Sequence, residues 1–292
     1  MNGGGAVRGT YGVRRVAIPS TFLCRAEGDS LTFNGTYLSL AQYFAALLQP
    51  VLQGLGCALA VVNAGVSGRT TAGILVAARL APTVRSGAFA NIFGGTNDLN
   101  HQTTVQASPS PTTTVFAVGA GVGQFFLANT SMLINGVSRA ILSVSTDTIT
   151  LASALPDPPV AGQTAVIDTV QNLIDIGLAM KALGYTRLLI GTHPYLNYTT
   201  GGDTLAAQQS LALTTRTAQN AAYASLASSS GAVLVDFYTW MRSLIVAGTV
   251  TQGSFSWHVA DGNVHLNAYG EQILCDCLAA AIPQAWIDAL QA

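Results

Sequence analysis

The stretch Ala26-Glu27-Gly28-Asp29-Ser30-Leu31 decides how this chain is read. The run ahead of it, Thr21–Arg25 (TFLCR), is short, largely apolar and suited to a strand, and Gly28 permits a sharp turn. A helix-compatible run, Leu38–Leu48, follows soon after. Strand, tight turn, serine and helix together present a hydroxyl at the C-terminal edge of a sheet, where open α/β folds bind ligands. Gly-Asp-Ser is also ordinary turn chemistry, so the remainder of the chain has to decide.

Outward from that stretch, strands and helices alternate. Leu38–Leu48 has apolar residues at helical spacing and is expected to stop at Pro50. Cys57–Val62 (CALAVV) reads as a strand buried on both faces, running into Asn63-Ala64-Gly65-Val66-Ser67-Gly68. Thr70 or Thr71 is placed to cap a helix toward Val84. Ala88–Phe93 is a third strand, ending in Gly94-Gly95-Thr96-Asn97-Asp98. The alternation then stops at about Gln102 and resumes with a helix at Val170–Leu183, closed by Gly184. Arg187–Gly191 (strand), Leu205–Ser228 (helix), Ala232–Phe237 (strand) and Ala268–Ala281 (helix) complete it. Five apolar strands alternating with helices give a parallel sheet with helices on both faces, connected right-handedly.

Between Gln102 and Asp168 the composition shifts to Thr, Val, Ser, Gly and Pro. Thr114–Val118, Gln124–Ala128, Met132–Ile134, Ser138–Val144 and Thr148–Leu151 read as short strands, with Asn135-Gly136 a strong hairpin turn. The expected organisation is an α/β core over 1–101 and 169–292, with 1–12 a flexible leader and 102–168 a small inserted all-β module.

Composition excludes several classes. Only 9% of the 292 residues are charged and the net charge is −1, which leaves no electrostatic footprint for nucleic acid and no basic run for an anionic membrane. Mean hydropathy is +0.43, yet Gly, Thr, Asn or Arg interrupts every apolar run before the roughly 18 residues a span needs. The N-terminal MNGGGAVRGTYGVRR lacks the apolar region of a secretory signal. A cytoplasmic location, a trimmed signal and export within a virion all stay open. Cys24, Cys57, Cys275 and Cys277 have no metal-site spacing and are read as free thiols, in preference to a Cys24–Cys57 disulfide.

Four polar clusters, containing Ser30, Gly65, Asn97 and His265, fall at the C-terminal ends of expected strands or in the loop before the last core helix. An acyl-transfer site needs such a set: a hydroxyl, a base within reach, and preorganised donors for an oxyanion. Here the chain resembles the SGNH, or GDSL, hydrolases, a family of esterases and lipases. Gly28-Asp29-Ser30-Leu31 matches the first block of that family and Asn63-Ala64-Gly65-Val66-Ser67-Gly68 the second. Gly95-Thr96-Asn97-Asp98 matches the third, and Asp261 through His265-Leu266-Asn267 the fifth. The resemblance covers all but the leader and the 102–168 region. It implies a flavodoxin-like three-layer α/β/α sandwich with a five-stranded parallel sheet, and a serine esterase that needs no cofactor and no metal. Ser30 would be the nucleophile and His265 the base. The backbone N–H groups of Ser30 and Gly65 and the Asn97 side chain would form the oxyanion hole. Asp29 and Asp98 are expected to brace loop backbone.

The chain departs from the family at the fifth block, where the acid is normally three residues before the histidine. Gly262 holds that place and Asp261 lies one further back. We expect Asp261 to orient His265, with a bulge at Gly262 and Asn263 absorbing the offset. The alternative is a Ser–His dyad whose imidazole is held by a backbone carbonyl. The other histidines get the plainer reading. His258, beside Trp257, is read as a solvated loop residue, with lining of the approach as the alternative. His193 is read as a strand end, with the cleft rim as the alternative, and His101 sits where the 102–168 region begins. That region leaves directly after Asn97-Asp98, so it is expected to narrow access and bias the choice of acyl or alcohol group. The reading is a carboxylester hydrolase acting through an acyl-enzyme on short-chain, including acetyl, esters. Its substrate partner is a small-molecule or glycan ester, and the oligomeric state is left open. The alternatives are a carbohydrate O-acetylesterase, a lipase or thioesterase, and a non-catalytic glycan-binding or virion protein on a hydrolase scaffold.

Overall fold

A computed structural model describes residues 23–33, 42, 44–54, 60–84, 87–107, 112–197, 202–253, 256–259 and 264–291. In chain order the elements begin β1 (Leu23–Gly28), α1 (Ser30–Phe33), α2 (Phe44–Gly54), β2 (Ala60–Asn63), α3 (Thr71–Arg79) and β3 (Phe89–Phe93). Six short strands follow: β4 (Thr103–Thr104), β5 (Val115–Ala117), β6 (Ser131–Ile134), β7 (Val137–Ser145), β8 (Thr148–Leu151) and β9 (Thr164–Ile167). The chain then forms α4 (Thr169–Ala182), β10 (Arg187–Gly191), α5 (Gly202–Ser230), β11 (Val233–Val235), α6 (Phe237–Val246), α7 (Ala268–Ala281) and α8 (Gln284–Gln291).

The fold is α/β around a five-stranded parallel sheet, ordered β11-β10-β3-β1-β2. Numbered within the sheet, that is the 2-1-3-4-5 order of doubly wound folds. Central β3, FANIF, is buried along its whole length. Its alternate residues feed two cores: Phe89 and Phe93 pack with Leu48, Leu52, Leu274 and Leu278, while Ala90 and Ile92 pack with Ile74, Leu75, Leu173 and Leu226. Helices α2 and α7 thus cover one face and α3, α4 and α5 the other.

Several boundaries differ from expectation for identifiable reasons. The strand expected to be buried on both faces lies at the sheet edge, with Val62 38% exposed. Cys57 lies outside the described residues, while Cys24, Cys275 and Cys277 are buried and take part in no disulfide. Helix α2 runs through Pro50. Proline there leaves the Ala46 carbonyl without its helical donor, but Ala46 and Pro50 both sit on the exposed side, where water can serve. β11 stops at Val235 because Asp236 accepts from Thr239 N–H (3.1 Å) and caps α6. Helices α6 and α8 were not anticipated.

Residues 103–167 form a second, antiparallel sheet ordered β4-β9-β6-β7-β8-β5. A Val105–Val118 bridge joins the two ends of that order, curling the sheet round on itself. Phe116, Met132, Ile141, Ile149 and Ile167 fill its interior. The Asn135-Gly136 turn has φ +47° and +78°, the double positive φ of a two-residue hairpin, and it sets Ile134 opposite Val137. Gln124–Ala128, expected as a strand, instead contains a 3-10 turn over Gly123–Phe125. A side chain at Gly123 would collide with the Thr146 carbonyl, so the turn packs backbone to backbone. β4 and β9 were not anticipated. The two sheets are joined by buried Asn172 of α4, which accepts from Ser131 N–H (2.8 Å) and donates to Ser131 C=O (3.1 Å). His101, stacked on Phe125 with ring centroids 3.4 Å apart, adds a second tie.

Candidate active site

Three loops leave the C-terminal ends of β1, β2 and β3 and are stitched to one another. Gly28 is buried, and a Cβ there would strike Thr32 and the Phe93 carbonyl, so only glycine lets α1 turn back this closely. Asp29, fully buried, accepts from Leu31 N–H (3.0 Å) and fixes the turn that starts α1. Thr32 Oγ1 donates to Phe93 C=O (3.3 Å), tying that turn to β3. Ser30, the first residue of α1, is half-buried at the turn.

The second loop continues beside β1, with Ala64 N–H on Ala26 C=O (2.8 Å) and Val66 N–H on Gly28 C=O (3.2 Å). Asn63 works at both ends of its amide, donating to Thr32 C=O (3.1 Å) and accepting from Gly65 N–H (2.9 Å). The expected Gly65 donor is therefore turned onto Asn63. Gly68, which sequence reasoning passed over, has φ +73°, is exposed, and has no atom within 4 Å of an added Cβ. Its signal was present as the second glycine of the block, two residues ahead of the Thr70 cap of α3.

The third loop brings Asn97 to the second. Asn97 Nδ2 donates to Arg69 C=O (3.1 Å), one residue after Gly68. Below it, buried Asp98 accepts from Thr71 N–H (2.7 Å), from the Thr71 hydroxyl, and from the Thr169 hydroxyl (2.7 Å). Asp29 and Asp98 thus both brace backbone, as the sequence suggested. Burial pushes Asp98 up to about 6. Asp29 rises to about 7, through its own burial first and the Asp98 charge second.

His265 lies half-buried in the approach to α7. Its C=O accepts from Val259 N–H (3.1 Å), and Leu266 bridges His258 in antiparallel fashion. Asn267 caps α7 by accepting from Tyr269 and Gly270 N–H (both 3.0 Å). The same side chain donates to Ser256 C=O (2.8 Å) and His258 C=O (3.0 Å), fastening the histidine's stretch to the antiparallel segment beside it. Leu31 and Leu266, the residues directly after Ser30 and His265, belong to one buried cluster. Burial lowers the His265 pKa below that of an ordinary imidazole. Asp261 lies outside the described residues.

The other histidines take structural places. His258 is buried, accepting from Trp257 Nε1 (2.9 Å), and so does not line an open approach. His193 is also buried rather than at a rim, with Nδ1 against Pro194 C=O (2.8 Å) and its pKa lowered to about 4 by burial. Among the described residues no single helix is long and apolar enough to cross a membrane.

Residues 26–273 match the model of the GDSL-like lipase/acylhydrolase family. Among solved structures, the chain is similar to a single-residue variant of Axe2, an acetyl xylan esterase from Geobacillus stearothermophilus. That pair has 16% identity and a TM-score of 0.50, covering 89% of this chain and 94% of that one. It is also similar to a member of the lipolytic G-D-S-L family from Veillonella parvula, at 13% identity and a TM-score of 0.49, covering 88% and 96%. A search of curated proteins by sequence finds no match. With the family model spanning most of its length, this chain belongs to the GDSL-like lipase/acylhydrolase family and is a carboxylic ester hydrolase.

Proposed function

We propose that the chain hydrolyses short-chain carboxylic esters, acetyl esters included, through an acyl-enzyme on Ser30. His265 takes the Ser30 proton as the hydroxyl oxygen attacks the ester carbonyl, then returns it to the departing alcohol. Water, activated by the same ring, releases the acid and restores Ser30. Asp261 holds the imidazole. The oxyanion is received by the Ser30 N–H, the remaining Asn97 amide hydrogen and a loop-two N–H. For that last donor we favour Gly68 over the expected Gly65, whose N–H is bonded to Asn63. We also infer that residues 102–168 are a module inserted into the hydrolase core.

One observation carries this reading: the Asn97 amide sits on Arg69 C=O beside Gly68, while Asn63 ties the same loop to the turn bearing Ser30. The test is turnover of p-nitrophenyl acetate and butyrate by wild type and Ser30→Ala. Loss of kcat by about four orders of magnitude or more is expected. Retained hydrolysis in Ser30→Ala would remove the nucleophile from this account. A folded wild type inert toward every ester would favour the non-catalytic alternative.

A further inference from the structure

A pocket of about 170 Å³ lies between the antiparallel sheet and helices α4 and α5, next to the third loop. Leu99, two residues after Asn97, forms one side; α5 supplies Ala218 and Thr214; the antiparallel sheet supplies Leu133 and Val166. These last two are informative. In β6 and β9 the neighbours Met132, Ile134, Ala165 and Ile167 point into the sheet's own core, so Leu133 and Val166 point out. They sit directly opposite each other in register. An outward cross-strand pair of Leu and Val has no role in that core, and it is only half-buried.

Apart from exposed Gln102 at the mouth, the polar side chains around the pocket are engaged within the protein. Asp98 accepts from Thr71 and Thr169, and Asp168 accepts from Gln171 N–H (3.0 Å) as the cap of α4. The Thr214 hydroxyl donates to Ser210 C=O (2.9 Å). What remains to meet a ligand is mainly apolar surface, which suits an alkyl group and offers little to a sugar. At ~30 Å³ per water-sized group, the volume holds on the order of five or six heavy atoms.

We propose that this pocket receives the aliphatic arm of the ester, with Leu133 and Val166 setting the length accepted. The proposal rests on the acyl-enzyme reading above, and it gives residues of the antiparallel sheet a direct part in specificity.

The test uses the full chain and two substrate series: p-nitrophenyl esters from acetate to octanoate, and acetate esters of ethanol to hexanol. Leu133→Trp fills the pocket. The ratio of kcat/KM for the six-carbon member to that of the two-carbon member should fall about tenfold or more in one series. A fall in the first series assigns the pocket to the acyl arm, and a fall in the second to the alcohol arm. Val166→Ala widens the pocket and should move the same ratio the other way, which decides the matter if Leu133→Trp fails to fold. Unchanged ratios in both series for the folded variants, with Ser30→Ala inactive, would overturn the pocket proposal alone. Activity surviving in Ser30→Ala would overturn the reading beneath it.

Discussion

The loop carrying Asn97 and the loop carrying His265 are held by different chemistry. Beneath Asn97 the anchor is a buried carboxylate, Asp98, that accepts from donors in two other elements. A second buried carboxylate, Asp29, braces the neighbouring turn. Beside His265 the anchor is a neutral amide, Asn267, which caps α7 and donates to two carbonyls of the preceding loop. A carboxylate gives strong acceptors but answers to pH and burial, whereas an amide serves as donor and acceptor with no charge to desolvate. The half of the site proposed to stabilise charge is thus built on ionisable supports, and the half proposed to move a proton is built on neutral ones.

The contrast can be broken or sharpened by substitution. The largest effect is expected at the base. If Asp261 orients His265, Asp261→Asn should lower kcat on the order of 10⁴-fold with little change in fold. Near-wild-type turnover would instead assign the imidazole to a Ser–His dyad. On the charge-stabilising side, Asn97→Ala should reduce kcat by about 10²–10³ while leaving KM nearly unchanged. A rise in KM alone would make Asn97 a binding group. Stability separates the two anchors further. Asn267→Ala removes the α7 cap and should cost about 0.5–2 kcal/mol in a denaturant melt, with no change in the pH dependence of stability.

The smallest effect is a change of slope. Asp29 is raised from 3.8 to about 7 in the fold, so the folded state takes up a proton that the unfolded chain releases. The stability linked to that proton is present in full below pH 3.8 and is lost as pH rises through about 7. Asp29→Asn mimics the neutral acid, so its Tm between pH 4 and 8 should fall less steeply than that of wild type. An unchanged slope would mean that Asp29 is not the titrating support.

The parts of this site that were legible in the sequence are those fixed by short-range geometry. Gly28 must be glycine because the Phe93 carbonyl and Thr32 crowd its α-carbon, and that requirement is written in four consecutive letters. α7 matched its expected bounds because Asn267 caps it and its apolar spacing is regular. Longer-range pairings were not legible: Asp98 meets Thr71 and Thr169 across 27 and 71 residues, and no local pattern announces either. The engagement of Gly65 N–H was not legible for a related reason, since the Asn63 side chain that accepts from it could equally have faced solvent. α6 was hidden because AVLVDF looks like one strand until Asp236 is seen to cap a helix. β4 and β9, with two and four residues, were too short to stand out from turn-rich surroundings.

The most direct test of the account is covalent. A fluorophosphonate that mimics the tetrahedral intermediate should add once per chain, and peptide mapping by mass spectrometry should place the adduct on Ser30. The adduct and ester turnover should disappear together in Ser30→Ala. An adduct on a different serine, or an unlabelled Ser30→Ala that hydrolyses esters at the wild-type rate, would contradict it.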